Sequence, residues 1–341
     1  MAMTRVVAVG AGWVTLHRHL PGIAAAPSLE LVGIVDRDPV RGSRAATMHH
    51  VPHATSLADP ALGAFDAVTI GTAPPSHGAI VRQALELGKH VLVEKPFAMD
   101  PDEADTLVAL SRRRGRILAV VHNFQFARSV RAARRHVAAG TYGPLRGVVG
   151  LQLSNDRRRL PTWYRELPGG LFYDESPHFF YLVRAFLGDA RVTDASFVAS
   201  LDPLDHTPRS AHIDLESGDR FATLDMRFAA ALSEWQLLVL CERATLACDI
   251  FRDILTIVPD DGLHRPGQIM RSSFRATVGH WAGVVASGAR FASGRLDYGN
   301  HEVFRRFARA IETGIAPEGI SAEDGEAVVI AMHDALAHLR H

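Results

Sequence analysis

The rhythm of hydrophobic and polar positions changes once along the chain. In the first third, short continuous apolar runs rich in β-branched residues alternate with stretches of helical period. Arg5–Val9, Leu29–Val35, Phe65–Ile70, His90–Val93 and Ile117–Val121 read as strands. Helices are expected from the turn at Gly10 to about Ala25, and over Val40–His49, Pro75–Leu87 and Pro101–Arg113. Apolar runs without alternation suit strands covered on both faces, so this segment predicts a parallel, doubly wound α/β sheet. Further on, Arg146–Leu153, Val192–Ala199, Arg220–Phe228 and Glu234–Cys241 read as strands, several with period-two alternation. That pattern predicts an open, mostly antiparallel sheet with one covered face. Helices are expected at Val130–Ala139, Pro177–Leu187, Glu302–Thr313 and Ala322–Leu339. The expected organisation is a nucleotide-type domain over 1–122 and an α+β domain over 123–341.

Composition narrows the partners. At about 100–200 residues per domain, 341 residues are enough for two cores. Lys+Arg and Asp+Glu are both 37, so no basic field draws the chain to nucleic acid or an anionic membrane. No apolar run approaches the length of a membrane span, and Met1–Gly10 is strand-like rather than a leader. Two cysteines, Cys241 and Cys248, make no disulfide framework, and a reducing cytoplasm is the expected location. No metal site is expected. Among the 37 Lys and Arg residues only Lys89 and Lys95 are lysine. Either these survive by chance in an arginine-biased chain, or they stand where a compact ammonium is wanted and a guanidinium will not serve.

Between the first strand and its helix stands Gly10-Ala11-Gly12-Trp13-Val14-Thr15. Gly10 allows a tight turn, and Gly12 lets backbone approach a pyrophosphate at the helix N-terminus. Thr15 occupies the place of a third glycine. Asp36 ends the second strand, where a carboxylate accepts the ribose hydroxyls of NAD and repels a 2′-phosphate. Arg37 follows it and could greet that phosphate instead, so NADP stays open beside NAD. The alternative is a sharp strand-to-helix turn with a capping Asp and no ligand.

Farther on lie Thr72, His77, Gly88-Lys89-His90-Val91 and Glu94-Lys95-Pro96, then Gly169-Gly170, Asp174 and His178. On these residues the chain resembles the glucose–fructose oxidoreductase/inositol dehydrogenase/rhizopine catabolism (Gfo/Idh/MocA) family, in order and across nearly its whole length. The resemblance implies a Rossmann domain followed by a domain built on a large open sheet. It implies NAD or NADP, and hydride transfer at a hydroxyl or ketone of a carbohydrate-like small molecule such as a sugar, cyclitol or sugar nucleotide. It implies a homodimer or homotetramer associating through the C-terminal sheet. Lys95, Asp174 and His178 match the family's catalytic positions. Thr72 and His77 match positions lining the nicotinamide half of the cofactor site, and Glu94 and Asn123 are grouped with them. An NAD-retaining glycosidase and a non-catalytic, cofactor-binding regulator of the same fold are the alternatives.

Asp174-Glu175-Ser176-Pro177-His178 reads as a loop entering a helix, with Ser176 as N-cap and Pro177 at the first helical position. His178 would then sit in the first turn, where the helix dipole favours a neutral imidazole suited to general-base work. Arg157-Arg158-Arg159 is read either as a lining for a charged sugar or as solvated loop.

Overall fold

The computed structural model describes residues 3–155, 157–158, 160–202 and 204–340. They form two compact units, Met1–Asn123 with Gly299–His333, and Phe124–Tyr298 with Asp334–His341.

In the first unit, strands β1 (Thr4–Val9), β2 (Leu29–Val35), β3 (His53–Ala54), β4 (Ala67–Ile70), β5 (His90–Val93) and β6 (Leu118–Val120) make one sheet in the order β3-β2-β1-β4-β5-β6. Every pairing is parallel. Helices α1 (Leu20–Ala24), α2 (Pro39–His49), α3 (His77–Glu86) and α4 (Pro101–Arg114) connect the strands. The apolar runs are covered on both faces: Val6, Val7, Ala8, Val68, Ile70 and Val91 have no exposure. Strand order reverses between β1 and β4, which opens a crevice at the carboxyl ends of the strands.

Thr15 does not cost the close packing that a third glycine would give. The residue that gives way is Gly71, just after β4: a Cβ there would lie 2.4 Å from Thr15 Oγ1. Thr15 is buried, in a π-helical turn over Thr15–His19 that leads into α1. Small size is required at this contact, and the chain supplies it from the strand side.

In the second unit, helix α5 (Arg128–Ala138), β7 (Leu145–Asn155), helix α6 (Leu171–Leu187), β8 (Arg191–Val198), β9 (Ser210–Ser217), β10 (Arg220–Ala230), β11 (Glu234–Cys241), β12 (Ala244–Asp249), β13 (Ile254–Pro259) and helix α7 (Pro266–Ala292) follow in turn. The seven strands are ordered β13-β12-β11-β7-β10-β9-β8, and only β7 with β10 is parallel. Helix α6 lies on one face, where Gly150 of β7 makes room for Phe179; a Cβ on Gly150 would come 2.6 Å from that ring.

The structure departs from the sequence expectation in three places. Helix α7 and strands β3, β9, β12 and β13 lie outside the sequence expectation. Four glycines in α7 lower its intrinsic helix preference, and it is held from outside. Gly283 packs on Ile254, Ser272 Oγ donates to the Pro259 carbonyl at 3.1 Å, and Ser287 donates to the Arg252 carbonyl.

The second departure is the C-terminal segment. Helix α8 (Asn300–Thr313) and most of α9 (Ala322–Ala337) belong to the first unit, not to an unbroken domain over 123–341. The Val120 N–H donates to the Ile320 carbonyl at 2.9 Å, and Arg112 pairs with Glu323 at 2.8 Å. Gly325 lies so close to Val120 that a Cβ would come within 2.5 Å of it.

The third is helix α6, which begins at Leu171, about one and a half turns before Ser176. Gly169 and Gly170 turn the chain with φ of 67° and 57°, and Leu171, Phe172 and Tyr173 are buried at once. Burial of three large apolar side chains outweighs the local start signal in Ser176-Pro177. Among the described residues, no helix is long and apolar enough to cross a membrane.

Candidate active site

In the first unit, the residues expected at a cofactor follow the carboxyl ends of successive strands. Gly10 follows β1, Asp36 follows β2, Thr72 follows β4, Glu94 and Lys95 follow β5, and Asn123 lies beyond β6. Gly10 has φ of 86°, and a Cβ there would meet Thr72 Cγ2 at 2.8 Å. Only glycine satisfies both constraints. The space beside Gly12 is open, with nothing nearer its Cβ position than the Gly71 carbonyl at 3.9 Å. Val14 is half-buried, and Trp13 is exposed and stacks on His17 with centroids 4.8 Å apart. These features leave room at the turn for a pyrophosphate, so a dinucleotide fits.

Asp36 is buried and fully engaged. Its Oδ2 accepts from the Ala11 N–H at 2.7 Å and from Arg41 Nε at 2.9 Å. Its Oδ1 accepts from the Asp38 N–H at 2.9 Å and from Arg41 Nη2 at 2.8 Å. Burial pushes the carboxyl up, but the Arg41 hydrogen bonds, the two backbone N–H groups and the Arg41 charge outweigh it and hold it below its ordinary value. Arg37 is exposed.

His77 is fully buried. Its Nδ1 lies 2.7 Å from the Pro96 carbonyl and its Nε2 lies 3.0 Å from the Thr72 carbonyl. It braces the loops after β4 and β5 from behind. Burial pushes its imidazole below the ordinary value, against the pull of both carbonyls. Ser76 Oγ bridges Thr72 Oγ1 at 2.8 Å and the Ala73 carbonyl at 2.7 Å.

The segment from Gly88 to Pro96 is anchored residue by residue. Lys89 Nζ donates to the Phe65 carbonyl at 2.7 Å and lies 4.4 Å from the centre of the Phe65 ring, so the first lysine is structural. Glu94 Oε1 receives His19 Nε2 at 3.1 Å, and His19 Nδ1 lies 2.8 Å from Thr69 Oγ1. With Nε2 donating to Glu94 and Nδ1 facing the threonine hydroxyl, both ring nitrogens are satisfied. Burial pushes the Glu94 carboxyl up, but the His19 hydrogen bond, with nearby His19, Lys95 and His77, outweighs it and keeps it below its ordinary value. The Lys95 N–H donates to Glu94 Oε2 at 3.2 Å.

In the second unit, α6 shows a singular pattern. From Leu171 to Val183 every residue is buried except Asp174 and His178, which lie one turn apart on one helix face. His178 is therefore in the interior of the helix and Pro177 precedes it there. The expectation of a first-turn histidine under the helix dipole is corrected. In its place the ring has side-chain partners: His178 Nδ1 lies 2.8 Å from Tyr181 Oη, and the Phe124 N–H donates to that same oxygen at 3.1 Å. Phe124 and Trp235 wall the imidazole, with centroids 5.0 and 5.1 Å away.

Glu175, on the neighbouring flank, ties α6 to the sheet. It accepts from Ser154 Oγ of β7 at 2.8 Å and from Gln152, and it pairs with Arg158. Arg158 is thus engaged with α6 rather than with solvent. Arg157 is exposed, and Arg159 lies outside the described residues. Sequence reasoning missed Arg41, His19, Glu175 and Tyr181. Only Tyr181 carried a local signal, one helical turn beyond His178.

Comparison with known proteins agrees with this layout. Residues 4–122 match the model of the oxidoreductase family with an NAD-binding Rossmann fold, and residues 130–247 match the C-terminal domain of the Gfo/Idh/MocA family. The chain belongs to that family. It is 29% identical to an uncharacterized oxidoreductase of Escherichia coli (strain K12) over 181 residues, 51% of each chain. It is 28% identical to the NADP-dependent scyllo-inositol 2-dehydrogenase of Bacillus subtilis (strain 168) over 137 residues, 40% of this chain and 42% of that one. The chain thus spans about half the length, or less, of these relatives. Its fold matches the WlbA dehydrogenase of Bordetella pertussis, solved with NADH and UDP-GlcNAcA, with a TM-score of 0.81 at 17% identity over 99% of this chain and 96% of that one.

His90 offers a test by pH. The Ile117 N–H donates to its Nδ1 at 3.0 Å, which requires an unprotonated nitrogen there. Burial first, then the Arg116 charge, push it from 6.5 down to about 4, against Asp66. The unfolded chain therefore takes up this proton first. The stability that the neutral ring contributes is present above about pH 6.5 and is lost as pH falls toward about 4. Urea unfolding of His90→Asn should show a flatter loss across that window than the wild type; equal slopes would contradict the assignment.

Proposed function

We propose that the chain is an NAD(P)-dependent oxidoreductase acting on a secondary hydroxyl, or the corresponding ketone, of a sugar, cyclitol or sugar nucleotide. One observation carries the reading: in a helix otherwise buried over thirteen residues, the two positions left partly accessible are Asp174 and His178. Ionisable groups kept at the margin of a packed helix, walled by aromatic rings, suit proton transfer to a small polar molecule.

Gly10 and Gly12, with Ala11, Trp13 and Val14, would hold the pyrophosphate turn, Asp36 and Arg37 the adenine ribose. Thr72, Glu94, Lys95 and Asn123 would face the nicotinamide end, with His77 bracing them. When bound, the nicotinamide supplies the hydride acceptor or donor. His178 takes the hydroxyl proton in oxidation and returns it in reduction. For Nε2 to act as the base, Nδ1 must carry the proton and donate it to Tyr181 Oη. That oxygen then accepts from both Phe124 N–H and His178, and it keeps doing so when the ring is charged. The Lys95 ammonium is suited to stabilising negative charge that develops on an oxygen. Asp174 orients the hydroxyl from the same helix face as His178.

We infer two further properties. The free face of the second sheet carries half-exposed Val149, Leu151 and Leu153 on β7 and Leu238 and Leu240 on β11. This apolar band supports pairing with a second copy of the chain. The cytoplasm suits the free cysteines Cys241 and Cys248.

Nicotinamide absorbance, followed with NAD and NADP across sugars, cyclitols and sugar nucleotides, tests the activity. Turnover with at least one is expected; tight dinucleotide binding without turnover on any of them would contradict it. In Tyr181→Phe, the hydrogen bond to a charged ring is lost, an interaction of about 1.5–3 kcal/mol. The acidic limb of its oxidation profile should move to lower pH, and an unmoved limb would count against the proton route. Leu151→Arg should halve the mass found by light scattering; an unchanged mass would exclude the sheet face as the interface.

A further inference from the structure

Helix α7 lies outside both stretches matched by the family's models and supplies no residue to the site described above. Among its described residues only Ser272 and Ser287 are buried. These two, with Gly283, hold it to the second sheet through Pro259, Arg252 and Ile254. At about 3.6 residues per turn, the other side of the helix carries Met270, Phe274, Val278, Trp281 and Val285. Every one of them is more than half exposed. A surface helix ordinarily turns polar residues away from the core. Here that side is apolar, and a stripe of this extent marks a surface that something covers.

The stripe is complementary to itself. Thr277, Val278, Trp281, Ala282, Val285 and Ala286 line an open apolar recess, in which the alanines are the smallest side chains. Val278, Trp281, Ala282 and Val285 have the spacing of a four-residue hole that receives one knob from a facing helix. Phe274 and Ala282 stand equally far from Val278 along the chain, and so do Met270 and Ala286. A two-fold axis beside Val278 therefore lays a second α7 antiparallel to the first, with each large side chain level with a small one. Phe274 of one copy then enters the hole around Ala282 of the other, and Met270 follows it toward Ala286.

We propose that α7 is an interface between two copies of this chain, paired antiparallel about Val278 and separate from the sheet face. Covering the stripe and its alanines buries roughly 600 Å² on each copy, or about 1,200 Å² in all, the lower end for a specific and stable contact. Each contact is made twice, so the pair closes on itself. Arg271 and Arg275 lie along one flank of the stripe, and α7 holds no carboxylate. The two-fold axis gathers these arginines of both copies on one rim, at the edge of the apolar contact. The pairing does not depend on the chemistry of the site.

Sedimentation equilibrium of the full chain carrying Leu151→Arg, which removes pairing through the sheet face, reads α7 alone. A reversible dimer is expected. Phe274→Ala empties the recess on both sides of the axis and should raise the dimer dissociation constant at least about tenfold. Added salt should tighten the dimer by screening the arginine rim. With Cys241→Ser also in place, mild oxidation of Val278→Cys should link the copies, because residues at a two-fold axis meet their own symmetry mates. Val285→Cys, about two turns from the axis, should stay unlinked. A Leu151→Arg chain that stays monomeric would overturn the proposal, as would loosening by salt, or linkage of Val285→Cys in place of Val278→Cys. Monomers that instead bind anionic phospholipid vesicles would assign the stripe to a membrane surface and overturn it as well.

Discussion

The early start of α6 is the constraint on which the chemistry proposed for the second unit depends. Because Leu171, Phe172 and Tyr173 are pulled into the core, the helix runs about one and a half turns further back than its Ser-Pro pair suggests. That extension makes Asp174 and His178 residues of one continuous helix, one turn apart, instead of a loop residue and a first-turn residue. Their relative position is then fixed by helix geometry. The neighbouring flank is tied to β7 by Glu175, held by Ser154, Gln152 and Arg158.

The first unit relies on a different device. Parallel strands bring distant loops to one edge, and each loop is secured by a partner remote in sequence. Gly71 admits Thr15, Gly10 admits Thr72, His19 joins Thr69 to Glu94, and His77 sits between the Thr72 and Pro96 carbonyls. The two lysines separate into two roles. Lys89 fastens the entry to β5 through Phe65, while Lys95 stands at that strand's exit, beside Glu94.

Much of this was legible in the residues. Continuous apolar runs marked five of the six parallel strands, because burial on both faces leaves no polar position to disguise them. The glycine turn, Asp36 and the spacing of Asp174 and His178 stood out because their chemistry demands particular residue types. What stayed hidden was set by tertiary partners. Ser176-Pro177 is a sound local start signal, overridden by three buried side chains upstream. Helix α7, with its four glycines, has weak helical preference of its own and is shaped by contact with β13. The return of α8 and α9 to the first unit depends on Gly325 and Ile320 meeting β6, which no local pattern reveals. Arg41 looked like one more arginine on an exposed helix until its guanidinium was found on Asp36.

The central claim is that His178 moves the proton while the chemistry proceeds. Rapid mixing of dinucleotide-loaded protein with a turned-over substrate, in wild type and His178→Asn, measures that step directly. A positioned acid–base group contributes about 10²–10⁴-fold. The variant should lose about that much in the single-turnover rate while its dissociation constants for dinucleotide and substrate stay at wild-type values. A single-turnover rate equal to wild type at every pH would contradict the claim.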